Sequence, residues 1–226
     1  MVKGILFDYG GTLDTNGVHW SEVLWQGYQH AGIDVTREQF REAYVHGERT
    51  LAREPLIQAY HSFLDVLNIK VEVELKYLNR KGASEVVEFC YNYARRNIQR
   101  SLPVLEGLAK RYPLVLVSNF YGNLHAVLRD FGIEPLFQHV IESAVVGVRK
   151  PDLRIFQLGI EALSQSPHEV LVVGDSFKND ILPATSLGCQ TVWLRGIGWE
   201  DKPVDESLPT AVITDIVQLP SLKILK

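Results

Sequence analysis

Five short, almost uninterrupted apolar runs constrain the fold of this chain most: Gly4 to Phe7, Leu114 to Val117, Val140 to Ile141, Val170 to Val173 and Thr191 to Leu194. A run without polar alternation is a strand covered on both faces, and such strands belong to parallel sheets flanked by helices. Ala211 to Ile213 offers a sixth. Between the runs, Pro103 to Arg111, Asn123 to Phe131, Asp152 to Leu163 and Asp180 to Leu187 read as crossover helices. The expected class is therefore α/β with a parallel sheet.

The gap between the first run and the second is too long for one crossover. Of the ten prolines, all but Pro55 lie outside residues 15 to 102, which marks a helix-rich segment. Ser21 is placed to cap a helix through Ala31. Thr36 and Gln39 have capping-box spacing, and Ser84 can open a helix to about Arg100. Leu24/Tyr28, Phe40/Tyr44, Tyr60/Leu64/Leu67 and Val86/Phe89/Tyr93 recur at helical spacing, so each helix offers an apolar stripe to a neighbour. A helical bundle is expected here.

Composition narrows the function classes. A formal charge of -4 with no basic block leaves out the electrostatic footprint of a nucleic-acid binder. Cys90 and Cys189 lack the spacing of a zinc or redox pair. The early Asp8 leaves no room for the apolar stretch of a signal peptide, and no window has the roughly 20 apolar residues of a membrane span. A cytoplasmic, reduced protein without a membrane partner is expected.

Ligand crevices of open parallel sheets lie at the carboxyl ends of the strands. Here the first strand ends in Asp8-Tyr-Gly-Gly-Thr12-Leu-Asp14, the second in Ser118-Asn119 and the fourth in Gly174-Asp175, with Asp180 close behind. Lys150-Pro151 follows the third. This set suits phosphoryl transfer. A carboxylate can attack phosphorus, giving an aspartyl phosphate that water later hydrolyses. Bringing a carboxylate toward a phosphate dianion needs positive charge, which Lys150 and an oxygen-bound Mg2+ on Asp8, Asp175 and Asp180 would supply. Ser118 adds a hydroxyl donor, and the glycine turn after Asp8 adds backbone N–H groups.

The ordered set Asp8-x-x-Gly-Thr12-Leu, Ser118-Asn119, Lys150-Pro151 and Gly174-Asp175-x-x-x-x-Asp180 resembles the four motifs of the haloacid-dehalogenase-like (HAD) hydrolase superfamily. The resemblance implies a Rossmann-like core of residues 1–14 and 98–226 interrupted by a helical cap at 15–97. It implies a phosphatase of a small phosphorylated metabolite with Mg2+ as cofactor. Asp8 would be the nucleophile, with Ser118 and Lys150 assisting. Gly11, Thr12, Ser118, Asn119 and Lys150 would hold the phosphate, and Asp8, the Gly10 carbonyl, Asp175 and Asp180 the metal.

One position departs from that pattern. Phosphatases of the superfamily usually carry a second aspartate two residues after the nucleophile, where this chain has Gly10. A glycine keeps the carbonyl but supplies no acid or base. General acid–base catalysis is worth ~10²- to 10⁴-fold, so the expected enzyme is slow or selective for good leaving groups, unless Asp14 or His19 substitutes. The alternative is a catalytically weakened binding or regulatory protein. Phosphonoacetaldehyde hydrolases of the superfamily share a small residue at this position but rely on a Schiff-base lysine early in the cap, and residues 4–69 contain no lysine. Within the cap, His19, Trp20, Arg49 and Arg53 are the candidates for substrate selection.

Overall fold

The computed structural model describes residues 1–198 and 203–226. Six strands form one parallel sheet: β1 (Gly4–Phe7), β2 (Leu114–Ser118), β3 (His139–Glu142), β4 (Val170–Gly174), β5 (Gln190–Leu194) and β6 (Ala211–Ile213). Their order is β3-β2-β1-β4-β5-β6, with Phe7 beside both Leu116 and Val173. Every residue of β1, β2 and β4 is buried, whereas the edge strands β3 and β6 are partly open. The burial follows the sequence: continuous apolar runs occupy the centre, where helices cover both faces.

The strand order reverses at β1, so the ends of β1, β2 and β4 flank the topological switch point where doubly wound sheets bind ligands. On one face the helix Leu153–Leu163 lays Ile155, Phe156 and Ile160 on Leu6, Val115 and Val172. On the other, Ile5, Phe7, Leu116 and Val173 join a cluster that continues without a break into the segment between β1 and β2.

That segment holds four helices: α1 (Trp20–His30), α2 (Arg37–Arg53), α3 (Phe63–Leu78) and α4 (Ala83–Ala109). The capping box of Thr36 and Gln39 forms as expected. His19, not Ser21, caps α1, accepting the Ser21 N–H, and a further capping box of Ser62 and Asp65 opens α3. The expected break near Arg100 is absent: α4 runs through Pro103 as one helix, across the anticipated 97/98 boundary. The reason is burial. Ile98, Ser101, Val104, Leu105 and Leu108 form one buried stripe on both sides of the proline, and Ser101 Oγ donates to the Leu13 carbonyl at 3.2 Å. Together these outweigh the roughly 3 kcal/mol cost of an interior proline. No described helix is long and apolar enough to cross a membrane, and both cysteines are free and buried.

Aromatic rings fill the inserted bundle, with Phe40 against Trp25 (5.3 Å) and Tyr28 (5.1 Å) and Trp20 against Phe63 (5.5 Å). Between α2 and α3, however, lies a buried polar cluster. Lys70 pairs with Glu48, lies 3.6 Å from Glu74 and sits over the Tyr44 ring at 4.4 Å. Tyr28 donates to Glu74 at 3.1 Å. Burial pushes the Glu74 carboxyl up to about 7, against the pull of Lys70 and the Tyr28 hydroxyl.

A folded-state value above the ordinary 4.5 means that Glu74 contributes stability in full below about pH 4.5 and loses it as the pH rises through about 7. At ~1.4 kcal/mol per unit the span is roughly 3 kcal/mol. Between pH 5 and pH 8 the wild type should therefore lose more stability than Glu74→Gln, as read from urea midpoints. Parallel losses in the two proteins would show that Glu74 does not titrate in this range.

Candidate active site

Asp8 follows the last residue of β1, and its carboxylate is held on both oxygens. Lys150 Nζ donates to Oδ1 at 2.7 Å, Ser118 Oγ reaches Oδ1 at 3.2 Å and the Thr12 hydroxyl lies 2.9 Å from Oδ2. The same Lys150 ammonium donates to Asp180 Oδ1 at 2.7 Å, and the Ser176 N–H holds Asp180 Oδ2 at 3.0 Å. Thr12 Oγ1 also accepts the Asp175 N–H at 3.0 Å and lies 3.1 Å from Asp175 Oδ1. The four motifs thus converge on one carboxylate.

Charge within this group is unbalanced. Among the described residues, Asp8, Asp175 and Asp180 face a single ammonium, and one oxygen from each lies within 4.8 Å of the others. Burial, with the charges of Asp8 and Asp180 behind it, drives the Asp175 carboxyl well above its ordinary range. Asp180 is pushed up to about 6, chiefly by burial and against the pull of Lys150. Burial alone would lower Lys150, but Asp180 and Asp8 outweigh it and hold the ammonium protonated. A cluster of hard oxygen donors with excess negative charge fits a Mg2+-like cation. Bound among Asp8, Asp175 and Asp180, such an ion would neutralise charge and polarise a phosphate oxygen.

The remaining motif residues support this group from behind. Asn119 accepts the Lys150 N–H (2.9 Å) and donates to the Lys150 carbonyl (3.1 Å), so its side-chain amide positions the lysine. Trp193 Nε1 donates to the Asp175 carbonyl at 2.8 Å. Glu142, at the end of β3, accepts the Gly122 and Leu124 N–H groups and anchors the loop that carries Asn119. Asp14 is fully buried, with both oxygens occupied by the Gly11 N–H (2.7 Å) and the Trp20 indole (2.8 Å). Burial lifts its carboxyl to about 7, but those contacts make it a brace between the turn and α1.

A cavity of about 160 Å³ lies between the strand ends and the insertion, lined by Gly10, Gly11 and Asn119 below and by His19, Trp20, Tyr44, Glu48 and Lys70 above. Of the cap candidates, His19 and Trp20 line it. Arg49 and Arg53 are exposed and do not line it, because α2 turns Phe40, Tyr44, Gly47 and Leu51 inward and leaves the arginines on the solvated face. Glu48, Lys70 and Tyr121 take their place. Lys70 and Glu74 fall on the same helical stripe as Phe63, Val66, Leu67, Val71 and Leu75. Charged residues in register with an apolar face were the available signal. Lys70 is also the first lysine after the stretch without any.

The two turn glycines make opposite predictions. Gly11 has φ of 94°, and a Cβ there would lie 2.6 Å from the Asp175 carboxylate oxygens. Gly10 has an ordinary backbone, and its Cβ would meet nothing within 4 Å. Gly11→Ala should cost at least ~1–2 kcal/mol for the left-handed backbone alone, whereas Gly10→Ala should change stability by less than ~0.5 kcal/mol. Paired chemical-denaturation curves check this, and equal losses would contradict the turn geometry.

The comparisons with known proteins agree with this geometry. The chain is 32% identical to the glyceraldehyde 3-phosphate phosphatase of Pyrococcus abyssi over 48% of its own length, but spans only 45% of that relative. It is 33% identical to the enzyme of the same name from Methanothermobacter thermautotrophicus over 97% of this chain and 98% of the relative. The solved structure of the Bacillus subtilis HAD-hydrolase YfnB bound to magnesium shares the fold, with a TM-score of 0.61 at 21% identity over 100% of this chain and 99% of that one. The model of the haloacid dehalogenase-like hydrolases matches residues 2–188. The chain belongs to the haloacid dehalogenase-like hydrolase family.

Proposed function

We propose that this chain is a Mg2+-dependent phosphatase of a small phosphorylated metabolite, working through an aspartyl phosphate on Asp8. The observation that carries this reading is the Asp8 carboxylate itself, placed at the switch point and flanked by Lys150, Ser118 and Thr12. In the first step Asp8 forms a bond to phosphorus as the bond to the leaving oxygen breaks. In the second, water attacks the phosphorus of the aspartyl phosphate, releasing inorganic phosphate and restoring Asp8.

Lys150 balances negative charge as the dianion approaches, while the hydroxyls of Ser118 and Thr12 and the backbone of the Gly11 turn orient phosphate oxygens. The Gly10 carbonyl would join Asp8, Asp175 and Asp180 around the cation. Residues 15–97 serve as the cap over a core of 1–14 and 98–226, with the long α4 shared between them. The cavity is smaller than the ~300 Å³ at which drug-sized sites begin, in keeping with a small substrate. The shared name of two relatives, glyceraldehyde 3-phosphate phosphatase, describes such a molecule.

Gly10 makes the enzyme slow or leaving-group-selective, because no side chain at that position protonates the departing oxygen. The open space at its Cβ leaves room for an aspartate. Hydrolysis of an aryl phosphate should require Mg2+ and disappear in Asp8→Asn. Gly10→Asp should raise kcat on alkyl phosphates by ~10²-fold or more and on aryl phosphates by less. Undiminished turnover in Asp8→Asn would refute the mechanism. Mg2+-dependent phosphate binding without Asp8-dependent turnover would instead favour a binding or regulatory protein.

A further inference from the structure

Resting on the phosphatase reading, we infer that Glu48, Tyr121 and Lys70 form a leaving-group site that selects short, uncharged, hydroxyl-bearing phosphate monoesters over carboxylate-bearing ones. All three line the cavity that Gly10 and Gly11 close from below; these glycines belong to the turn directly after Asp8, so a substrate whose phosphate sits at Asp8 would extend its leaving group into that cavity. A second observation is chemical. Lys70 keeps only 6% of its side chain accessible, while its partner Glu48 keeps 40%. The carboxylate is therefore the member of the pair that a ligand meets.

Its charge state follows from its neighbours. Burial pushes the Glu48 carboxyl up, but Lys70 and the hydrogen bonds from Lys70 and Tyr121 outweigh it and hold the group ionised. Burial likewise works against the Lys70 ammonium, yet Glu48, Tyr121, Tyr44 and Glu74 hold it protonated. Lys70 is thus not a nucleophilic amine, which would need a lowered pKa. Burial also lowers His19, leaving a neutral imidazole near pH 7.

The cation of this cavity is therefore already committed to Glu48. A leaving group with hydroxyls can donate to Glu48 and to the oxygen of Tyr121, whose own hydrogen goes to Glu48 Oε1 at 3.3 Å. A carboxylate would face Glu48 without a free cation to meet it, and like charges brought together in a partly buried site are strongly disfavoured. Tyr121 belongs to the loop after β2 and Glu48 to α2, so the same contact ties the insertion to the sheet. Lys70 acts through Glu48 and is a positioning residue, whereas Glu48 and Tyr121 touch the leaving group.

Glycerol 3-phosphate and 3-phosphoglycerate form a matched pair, differing by a hydroxymethyl group in place of a carboxylate. The wild type should favour the former in kcat/KM. Glu48→Gln removes the nearer of the two carboxylates that Lys70 pairs with, leaving Glu74, and should move the ratio toward the carboxylate substrate by on the order of 10²-fold. Tyr121→Phe, which removes one oxygen, should raise KM for glycerol 3-phosphate more than it lowers kcat, and it tests the site should Glu48→Gln fail to fold. Lys70→Arg should retain more of the wild-type preference than Lys70→Met. A wild type that prefers 3-phosphoglycerate, or turns over neither ester while hydrolysing an aryl phosphate through Asp8, overturns the site. So does a ratio unmoved by Glu48→Gln, or an unchanged KM in Tyr121→Phe. Loss of all Asp8-dependent turnover in the wild type overturns the phosphatase reading instead, and the two failures are told apart by the aryl phosphate.

Discussion

Among the described residues, a single ammonium facing three clustered carboxylates is the constraint on which the rest of this structure depends. Lys150 bonds Asp8 and Asp180 at 2.7 Å each, and among the described residues no cation bonds Asp175 in the same way. Charges out of water are costly unless paired, and removing one partner of a buried pair typically costs ~3–5 kcal/mol. The lysine must therefore be held where it serves two carboxylates at once. Asn119 does this through the Lys150 backbone, and the sheet does it by bringing β1, β2 and β4 to one edge. The excess negative charge that remains is what makes the group suitable for a divalent cation.

The sheet also explains why so little of the chain touches this group. Three adjacent strands with fully buried residues fix the positions of Asp8, Ser118 and Asp175 to within a strand spacing. Glycines then admit the carboxylates: a Cβ at Gly174 would lie 2.5 Å from Asp180 Cγ, and one at Gly11 would collide with Asp175. Most of the remaining residues either build that scaffold or close it from above. The α4 helix does both, packing Cys90 and Ala94 into the insertion and Leu105 and Leu108 against the sheet.

The sheet and its polar strand ends were legible in the sequence because both signals are local. An uninterrupted apolar run names a buried strand, and the polar residue after it names the ligand edge. Pro103 misled because a local cost was overruled by burial on both sides of it, which only the tertiary structure supplies. Arg49 and Arg53, candidates for substrate selection, lie on the solvated face of α2, a place that follows from which neighbours the helix buries. Lys70 and Glu48 were hidden because an ion pair across two helices has no sequence spacing of its own. Only Lys70 and Glu74, four residues apart on an apolar stripe, left a trace.

Gly10 and the polar cluster of the insertion complement each other. On the proposed mechanism, without a side chain at position 10 the departing oxygen would receive no proton from the turn, so the barrier would rise with the basicity of the leaving group. Binding energy gathered elsewhere on the substrate can offset part of that cost, provided it is spent on holding the leaving group in line with Asp8. The pair Glu48 and Lys70 is suited to this role because Lys70 is buried and already in place before any substrate enters, leaving little reorganisation to be done. On that mechanism, a site that lacks an acid but retains a preorganised grip on the leaving group would gain in selectivity what it gives up in speed. The same small cavity therefore accommodates both the open space at Gly10 and the charged pair above it.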